Sequence, residues 1–504
     1  MPDLARGRVK EKMSGSNMNG GLSISRLETL EKRLVAEMEA TEALGRVWAP
    51  APEPGLACIS RYNVVICGAG MSGLAIAFGL KRRGVAGVQV IDKAGKGREG
   101  PWIGCARMKT LRSPKYLAGP DFGLPSLTPR AWYEAVHGTD AYESLDKMSR
   151  QDWMAYLGWY RAVTEPDVAN GTSLAGISQV GGWLRLALEA DGETQQIECH
   201  RLVLATGIDG GGAPMIPDFV RTLPKSYWTH SAEIADGSHL KDRDVAILGS
   251  ATSSFDWAVT ALEKGAKSVA MIGRSRNFGR TEVLAWTNFP GFLGHFGDLS
   301  DLQKWRYMRL YNGFKIPPTQ DQFDRVVSDP RFTMALGHKV QSVTLDAARV
   351  VIESDSGMFS ADHLLLGTGY TIDFNQRAEL KSIAPHVAFW SDRFTPPDGE
   401  ASAEIAAHPY LGRGFELTPK NAATHGWLSH IHLFNCSAIA SLGPISNGVT
   451  GMKYGLPRIV DAVVGGLFHE AADDFLRDLA AYREHHFDPR GYDGDLEGMK
   501  EVSS

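Results

Sequence analysis

Two glycine-rich turns, each at the end of an apolar strand and each opening a helix, constrain this chain more than any other feature. The first reads Val64-Val65-Ile66-Cys67-Gly68-Ala69-Gly70-Met71-Ser72-Gly73, a G-x-G-x-x-G pattern behind a strand. Gly68 is expected to make the tight turn, Gly70 to admit a pyrophosphate and Gly73 to pack helix on strand. The next apolar run, Val88 to Ile91, ends in Asp92-Lys93, and an acid at that tip accepts hydrogen bonds from a ribose diol. The second turn reads Asp244-Val245-Ala246-Ile247-Leu248-Gly249-Ser250-Ala251-Thr252-Ser253-Ser254, and the strand after it, Ser268 to Ile272, runs into Gly273-Arg274-Ser275-Arg276. Two guanidinium groups there suit a phosphate. Ala251 stands where the second glycine belongs, and its methyl group crowds a pyrophosphate. Two dinucleotides on one polypeptide follow, and with them an α/β fold of two Rossmann-like dinucleotide-binding domains.

An internal repeat supports the same reading. The run Trp183 to Glu189 alternates as a strand does, Asp191-Gly192 makes a turn, and Arg201-Leu202-Val203-Leu204 ends in Ala205-Thr206-Gly207. The second half repeats this order. Val350-Val351-Ile352 leads to Asp355-Ser356-Gly357, then His363-Leu364-Leu365-Leu366 ends in Gly367-Thr368-Gly369-Tyr370.

At these residues, over about 60 to 470, the chain resembles the two-dinucleotide-binding-domain flavoproteins, and within them the class B-like, NADPH-dependent flavin monooxygenases. The resemblance implies FAD on the first motif and NADPH on the second, with a discontinuous FAD-binding domain of residues 60–215 and 366–486 and an inserted NADPH-binding domain of residues 216–365. Arg98-Glu99-Gly100-Pro101-Trp102 looks like the family's G-G-x-W loop, which places Trp102 beside the flavin. Gly207 and Gly369 then fall on the exit turns of the two halves. The stretch Met108 to Pro114 falls where the family enters the flavin pocket, which makes Arg112, Ser113 and Lys115 the expected catalytic groups. Where the chain returns to the FAD domain, Gly448 precedes a helix whose N-terminus would face the flavin pyrimidine edge. The resemblance implies that reduced flavin captures O2 as a C4a-(hydro)peroxide and oxygenates a small organic substrate. The F-x-G-x-x-x-H-x-x-x-[WY] stretch of Baeyer–Villiger members survives here only as His230 in Trp228-Thr229-His230-Ser231. Its loss favours oxygenation at a heteroatom, foremost N-hydroxylation, over Baeyer–Villiger oxidation.

Two other readings of a two-site flavoprotein compete. A non-oxygenating NAD(P)H:quinone or disulfide-type reductase is one; its disulfide-reducing form needs a paired dithiol beside the flavin, but the five cysteines here (Cys58, Cys67, Cys105, Cys199, Cys436) are widely spaced. A redox-sensing binding module would leave the aromatic insertion 277–335 without a use, whereas loops on a rigid α/β scaffold commonly shape a substrate pocket. A net charge of −5 gives no basic surface for nucleic acid. Unpaired thiols, no metal-ligand spacing and no apolar leader are expected of a cytoplasmic enzyme that avoids membranes. Residues 1–22 read as a mobile tail and 487–504 as a C-terminal tail. Within the N-terminal segment 1–59, Leu27, Leu30, Leu34, Val35 and Met38 recur at helical spacing. That stripe must dock on the FAD domain or on another subunit as a homo-oligomer. Aromatics in 129–163 are expected to fill a core.

Overall fold

The computed structural model describes residues 18–41, 46–55, 58–446, 448–484, 486–487 and 490. The segments 1–17 and 491–504, on which most of the two expected tails fall, lie outside the described residues. Alternating and continuous apolar runs set the strands: β1 Arg61–Cys67, β2 Val88–Asp92, β3 Val168–Asn170, β4 Thr172–Val180, β5 Trp183–Ala190 and β6 Glu193–Gly207. They lie side by side in the order β3-β2-β1-β6-β5-β4. Val64, Val65 and Ile66 of β1 are fully buried, as a strand covered on both faces should be. The antiparallel β4-β5-β6 arm is the hairpin read from Asp191-Gly192.

A short strand β7, Gly212–Pro214, leaves this unit for β8 Trp228–His230, β9 Asp244–Leu248, β10 Ser268–Gly273 and β11 Phe332–Leu336. There follow an antiparallel meander, β12 Val340–Asp346, β13 Arg349–Ser354 and β14 Gly357–Ala361, and then β15 His363–Leu366 and β16 Tyr370–Ile372. The second sheet has the order β11-β10-β9-β15-β8, with every pairing parallel. β16 pairs with β7, Tyr370 opposite Pro214, so the two chain crossings between the units form one ribbon. β17, Ile431–Asn435, returns to the first sheet beside β6.

Two expectations change. The insertion does not run to residue 335. Phe332 to Leu336 pairs with β10, and the helix Gln320–Val327 covers the second Rossmann helix Thr252–Glu263, with Phe323 6.1 Å from Phe255. A Rossmann half needs a crossover and a third strand, and these residues supply them. The N-terminal helix starts at Met18, inside the expected tail, and ends at Ala40. Its Leu30 and Leu34 are buried within the chain, and Glu37 accepts from the backbone N–H and hydroxyl of Ser126 at 2.9 and 2.7 Å. The helices Pro129–His137 and Arg150–Thr164 beneath it bury Trp132, Trp153, Tyr156 and Tyr160 as core.

Candidate functional site

The first turn separates its glycines by what surrounds them. At Gly68 (φ 110°) a Cβ would lie 2.4 Å from the Ala205 carbonyl oxygen, and at Gly73 it would lie 1.7 Å from that of Gly68. Both are therefore fixed by protein atoms. At Gly70 the nearest atom is 3.9 Å away, and this residue caps the helix Met71–Arg82 with no side-chain cap. Unpaired N–H groups and open space at a helix N-terminus are what a pyrophosphate requires, so a cofactor cradle is present. Asp92, nearly buried at the tip of β2, accepts from the N–H groups of Ala69 and Ala94, both at 2.7 Å. It holds the turn and the next loop together, while Lys93 is exposed beside it and Ser72 is half-buried.

That loop is held by a carboxylate the sequence did not single out. Glu99 pairs with Arg161 at 2.6 Å and accepts from Asn170 and the Gly97 N–H. Trp102 follows, its carbonyl bonded by Arg150 and its ring edge-on to Trp153 at 6.0 Å. The exit turn with Gly207 (φ 77°) is tied to the C-terminal return by Asn435, which donates to the Thr206 hydroxyl at 3.0 Å and whose own carbonyl accepts from Ser446. Gly448 then caps the helix Val449–Glu470 without a side-chain bond, and nothing lies within 4 Å of a Cβ placed there. Just past the exit turn, Asp209 pairs with Arg377 at 3.5 Å, from the far side of the β7/β16 ribbon.

The second turn repeats the first with one exchange. A Cβ at Gly249 (φ 117°) would lie 2.4 Å from the Gly367 carbonyl oxygen, as one at Gly68 would from that of Ala205. Gly369 (φ 81°) mirrors Gly207. Ser254 occupies the third-glycine position, and room for it exists because residue 367 lacks a side chain: a Cβ there would meet the Ser254 hydroxyl at 2.1 Å. Ser254 was expected to touch coenzyme, but its side chain is wholly buried because that position faces the strand exit. Ala251 and Ser253 are exposed. Arg274 and Arg276 are exposed at the β10 tip, and among the described residues neither has a carboxylate partner, while Ser275 between them accepts from Lys315.

The three expected catalytic groups part company. Arg112 reaches across from the first unit. It donates to the Thr252 hydroxyl at 2.7 Å, to Glu282 at 2.7 Å and to the Pro317 carbonyl at 2.9 Å, which joins the loop of the first unit, the second turn and the insertion. Lys115 points elsewhere, its ammonium held by the carbonyls of Tyr142 and Glu143, both at 2.8 Å. A strongly hydrated point charge has found oxygens on the one helix Thr139–Ser144 rather than the cleft. Ser113 is half-buried between them. His230 is buried with Nδ1 accepting from the Ala232 N–H, and burial holds it below its ordinary range. Burial pushes the Cys67 and Cys436 thiols up to about 12, which disfavours their thiolates. Arg107 was also missed. It stacks on Trp257 and donates to four carbonyls. Its partners lie far along the chain, so no local pattern announces them.

Two sheets with parallel cores, each carrying a glycine turn under a helix N-terminus and joined by one ribbon, define a two-dinucleotide flavoprotein. The family model for L-lysine 6-monooxygenase/L-ornithine 5-monooxygenase matches residues 141–296. The FAD-dependent urate hydroxylase of Xanthomonas campestris pv. campestris is 36% identical over 431 residues, 84% of this chain and 90% of that protein. In fold, the chain is similar to L-lysine 6-monooxygenase from Pseudomonas syringae (TM-score 0.63, 15% identity, 80% of this chain and 99% of that one). It is similar also to the ornithine hydroxylase of Pseudomonas aeruginosa (TM-score 0.61, 18% identity, 81% and 99%). The chain belongs to the family of FAD- and NADPH-dependent monooxygenases that includes the urate hydroxylase. Among the described residues no helix is long and apolar enough to cross a membrane.

Proposed function

We propose that the chain is a cytoplasmic monooxygenase that transfers one oxygen atom to a small, polar, nitrogen-rich substrate. Residues 60–215 and 366–486 would hold FAD and 216–365 NADPH. Bound FAD supplies the chemistry of hydride acceptance and O2 activation. The chain's own groups do the rest. The uncapped helix ends at Gly70 and Ala251 receive the pyrophosphates, Asp92 sets the turn that meets the ribose, and Arg274 and Arg276 read the 2′-phosphate. Arg112 holds the insertion down over the cleft, which keeps water from the reacting atoms. Self-association through the N-terminal helix would fall to its outer face, where Val35 is 50% exposed.

The match of residues 141–296 to an amine-hydroxylating family carries the heteroatom reading, N-hydroxylation of an amine. A second reading, hydroxylation of an oxidised purine such as urate, is favoured by the 36% identity over most of the chain. One experiment tests both: NADPH oxidation, product formation and peroxide release with L-ornithine, L-lysine and urate in parallel. Coupled turnover of an amine establishes the first reading and coupled turnover of urate the second. Coupling with none of them rejects both. For the coenzyme, Arg274→Ala and Arg276→Ala should each raise KM for NADPH about tenfold to a hundredfold, the worth of a charge-assisted bond, and leave NADH use unchanged. Equal loss of both coenzymes would show that these residues do not read the phosphate.

A further inference from the structure

We propose that Arg107 is a positioning residue that fixes the flavin-side loop on the coenzyme unit and so sets the approach of nicotinamide to flavin. The inference rests on the assignment of FAD to the first turn and NADPH to the second. Arg107 lies in the loop that follows Trp102. One Nη donates to the carbonyls of Cys105 at 2.6 Å and Ser231 at 3.2 Å, the other to those of Glu233 at 2.9 Å and Ala235 at 3.0 Å. Its guanidinium carbon sits 3.5 Å from the centroid of the Trp257 ring, which is fully buried. Cys105 belongs to the first unit, the other four partners to the second.

The loop that carries Arg107 is itself closed. The Ala106 N–H bonds the Pro101 carbonyl at 3.0 Å, and Trp102 lies inside that turn. Gly104 faces Ile234 closely enough that a Cβ would stand 3.5 Å from its side chain. Five residues on, Arg112 holds Thr252, so one loop grips two successive turns of the helix Thr252–Glu263. Asp256 lies between the two grips, yet neither arginine pairs with it; Arg107 is held by carbonyls on its two Nη groups and by a ring, with Nε buried and, among the described residues, without a hydrogen-bond partner. A guanidinium bonded this way encodes direction rather than charge neutralisation. Its planar fork fixes the segment 231–235 relative to residues 101–106, which a point charge on a flexible stem cannot do. Burial lowers this guanidinium to about 10, so it stays charged at neutral pH.

Hydride transfer is steep in donor–acceptor distance and orientation, so a loosened loop should slow flavin reduction without emptying either site. The test is Arg107→Lys in FAD-loaded protein, with Trp257→Phe as a second variant that keeps the apolar core. Anaerobic stopped-flow at saturating NADPH should show flavin reduction slowed at least tenfold in the first and several-fold in the second. Flavin content and NADP+ affinity should stay within threefold of wild type. Independently of turnover, hydrogen exchange without coenzyme should accelerate about tenfold in segments 103–108 and 229–237 of Arg107→Lys. Wild-type reduction rates in both variants overturn the proposal, as does slowing that only tracks lost flavin. A wild type that NADPH does not reduce would instead overturn the coenzyme assignment beneath it.

Discussion

Gly70 and Gly73 stand one turn apart on the same helix start and are glycine for different reasons. A methyl group at Gly70 meets no protein atom closer than 3.9 Å, whereas at Gly73 it would be driven to 1.7 Å from a backbone oxygen that cannot yield. Gly70→Ala is therefore expected to fold with the melting temperature of flavin-free wild type and to come out colourless, its FAD affinity at least tenfold lower. Gly73→Ala should lose more than about 3 kcal/mol of stability, in the range of severe overpacking. Absorbance at 450 nm and a thermal melt on each variant separate the two, and a yellow Gly70→Ala protein would remove the pyrophosphate from that cradle. Asp92→Ala adds a related expectation: it orphans the N–H groups of Ala69 and Ala94, at about 1 to 3 kcal/mol each. Flavin release should then come with a lower melting temperature, while Asp92→Asn, which keeps one acceptor, should fall between. At this scale the sequence was legible where a residue's neighbours lie within one turn. It was opaque at Lys115 and Arg107, whose partners are carbonyls of distant segments that carry no signature.

Among the elements, the loop 107–112 and the helix it grips carry a pH dependence. Burial pushes the Asp256 carboxyl up to about 6, partly offset by Arg112, a bond from Gln322 and Arg107. The folded state then keeps a proton that the unfolded chain has released, so stability falls as pH rises from about 4 through about 6, by about 2 to 3 kcal/mol. Asp256→Asn cannot ionise and should flatten that slope, with a higher urea midpoint at pH 7.5 than wild type. An unchanged slope between pH 4 and 7.5 would show that Asp256 is not the group. Elements were readable from sequence wherever the repeat supplied a second copy: both glycine turns, both exit turns and the hairpins. The insertion's end was misread because the crossover helix Gln320–Val327 was counted into it. Thr319 and Gln322, which form a capping box, were the available sign that the crossover helix starts there.

For the whole molecule, two buried histidines place an acid limit in both units. His363 of β15 is held down to about 3 and His432 of β17 to about 4, chiefly by burial. His432 donates from Nδ1 to the Gly414 carbonyl at 2.7 Å. Both stay neutral when folded and protonate when unfolded, so stability is complete above about pH 6.5 and drains as pH falls toward 4, by up to about 3 kcal/mol for His432. In wild type Asp256 opposes this loss between pH 6 and 4, so the test is made in Asp256→Asn, where a melting series from pH 8 to 4 should show one steep loss below pH 6, shallower once His432→Asn is added; parallel slopes would relieve His432 of that role. The duplicated turns also differ at one pair of positions. In the first copy the helix carries Gly73 and the exit strand Ala205; in the second the helix carries Ser254 and the exit strand Gly367, where a Cβ would meet the Ser254 hydroxyl at 2.1 Å. Gly367→Ala should therefore cripple the chain and pass almost unnoticed beside Ser254→Gly, so that what either position tolerates is decided by the other.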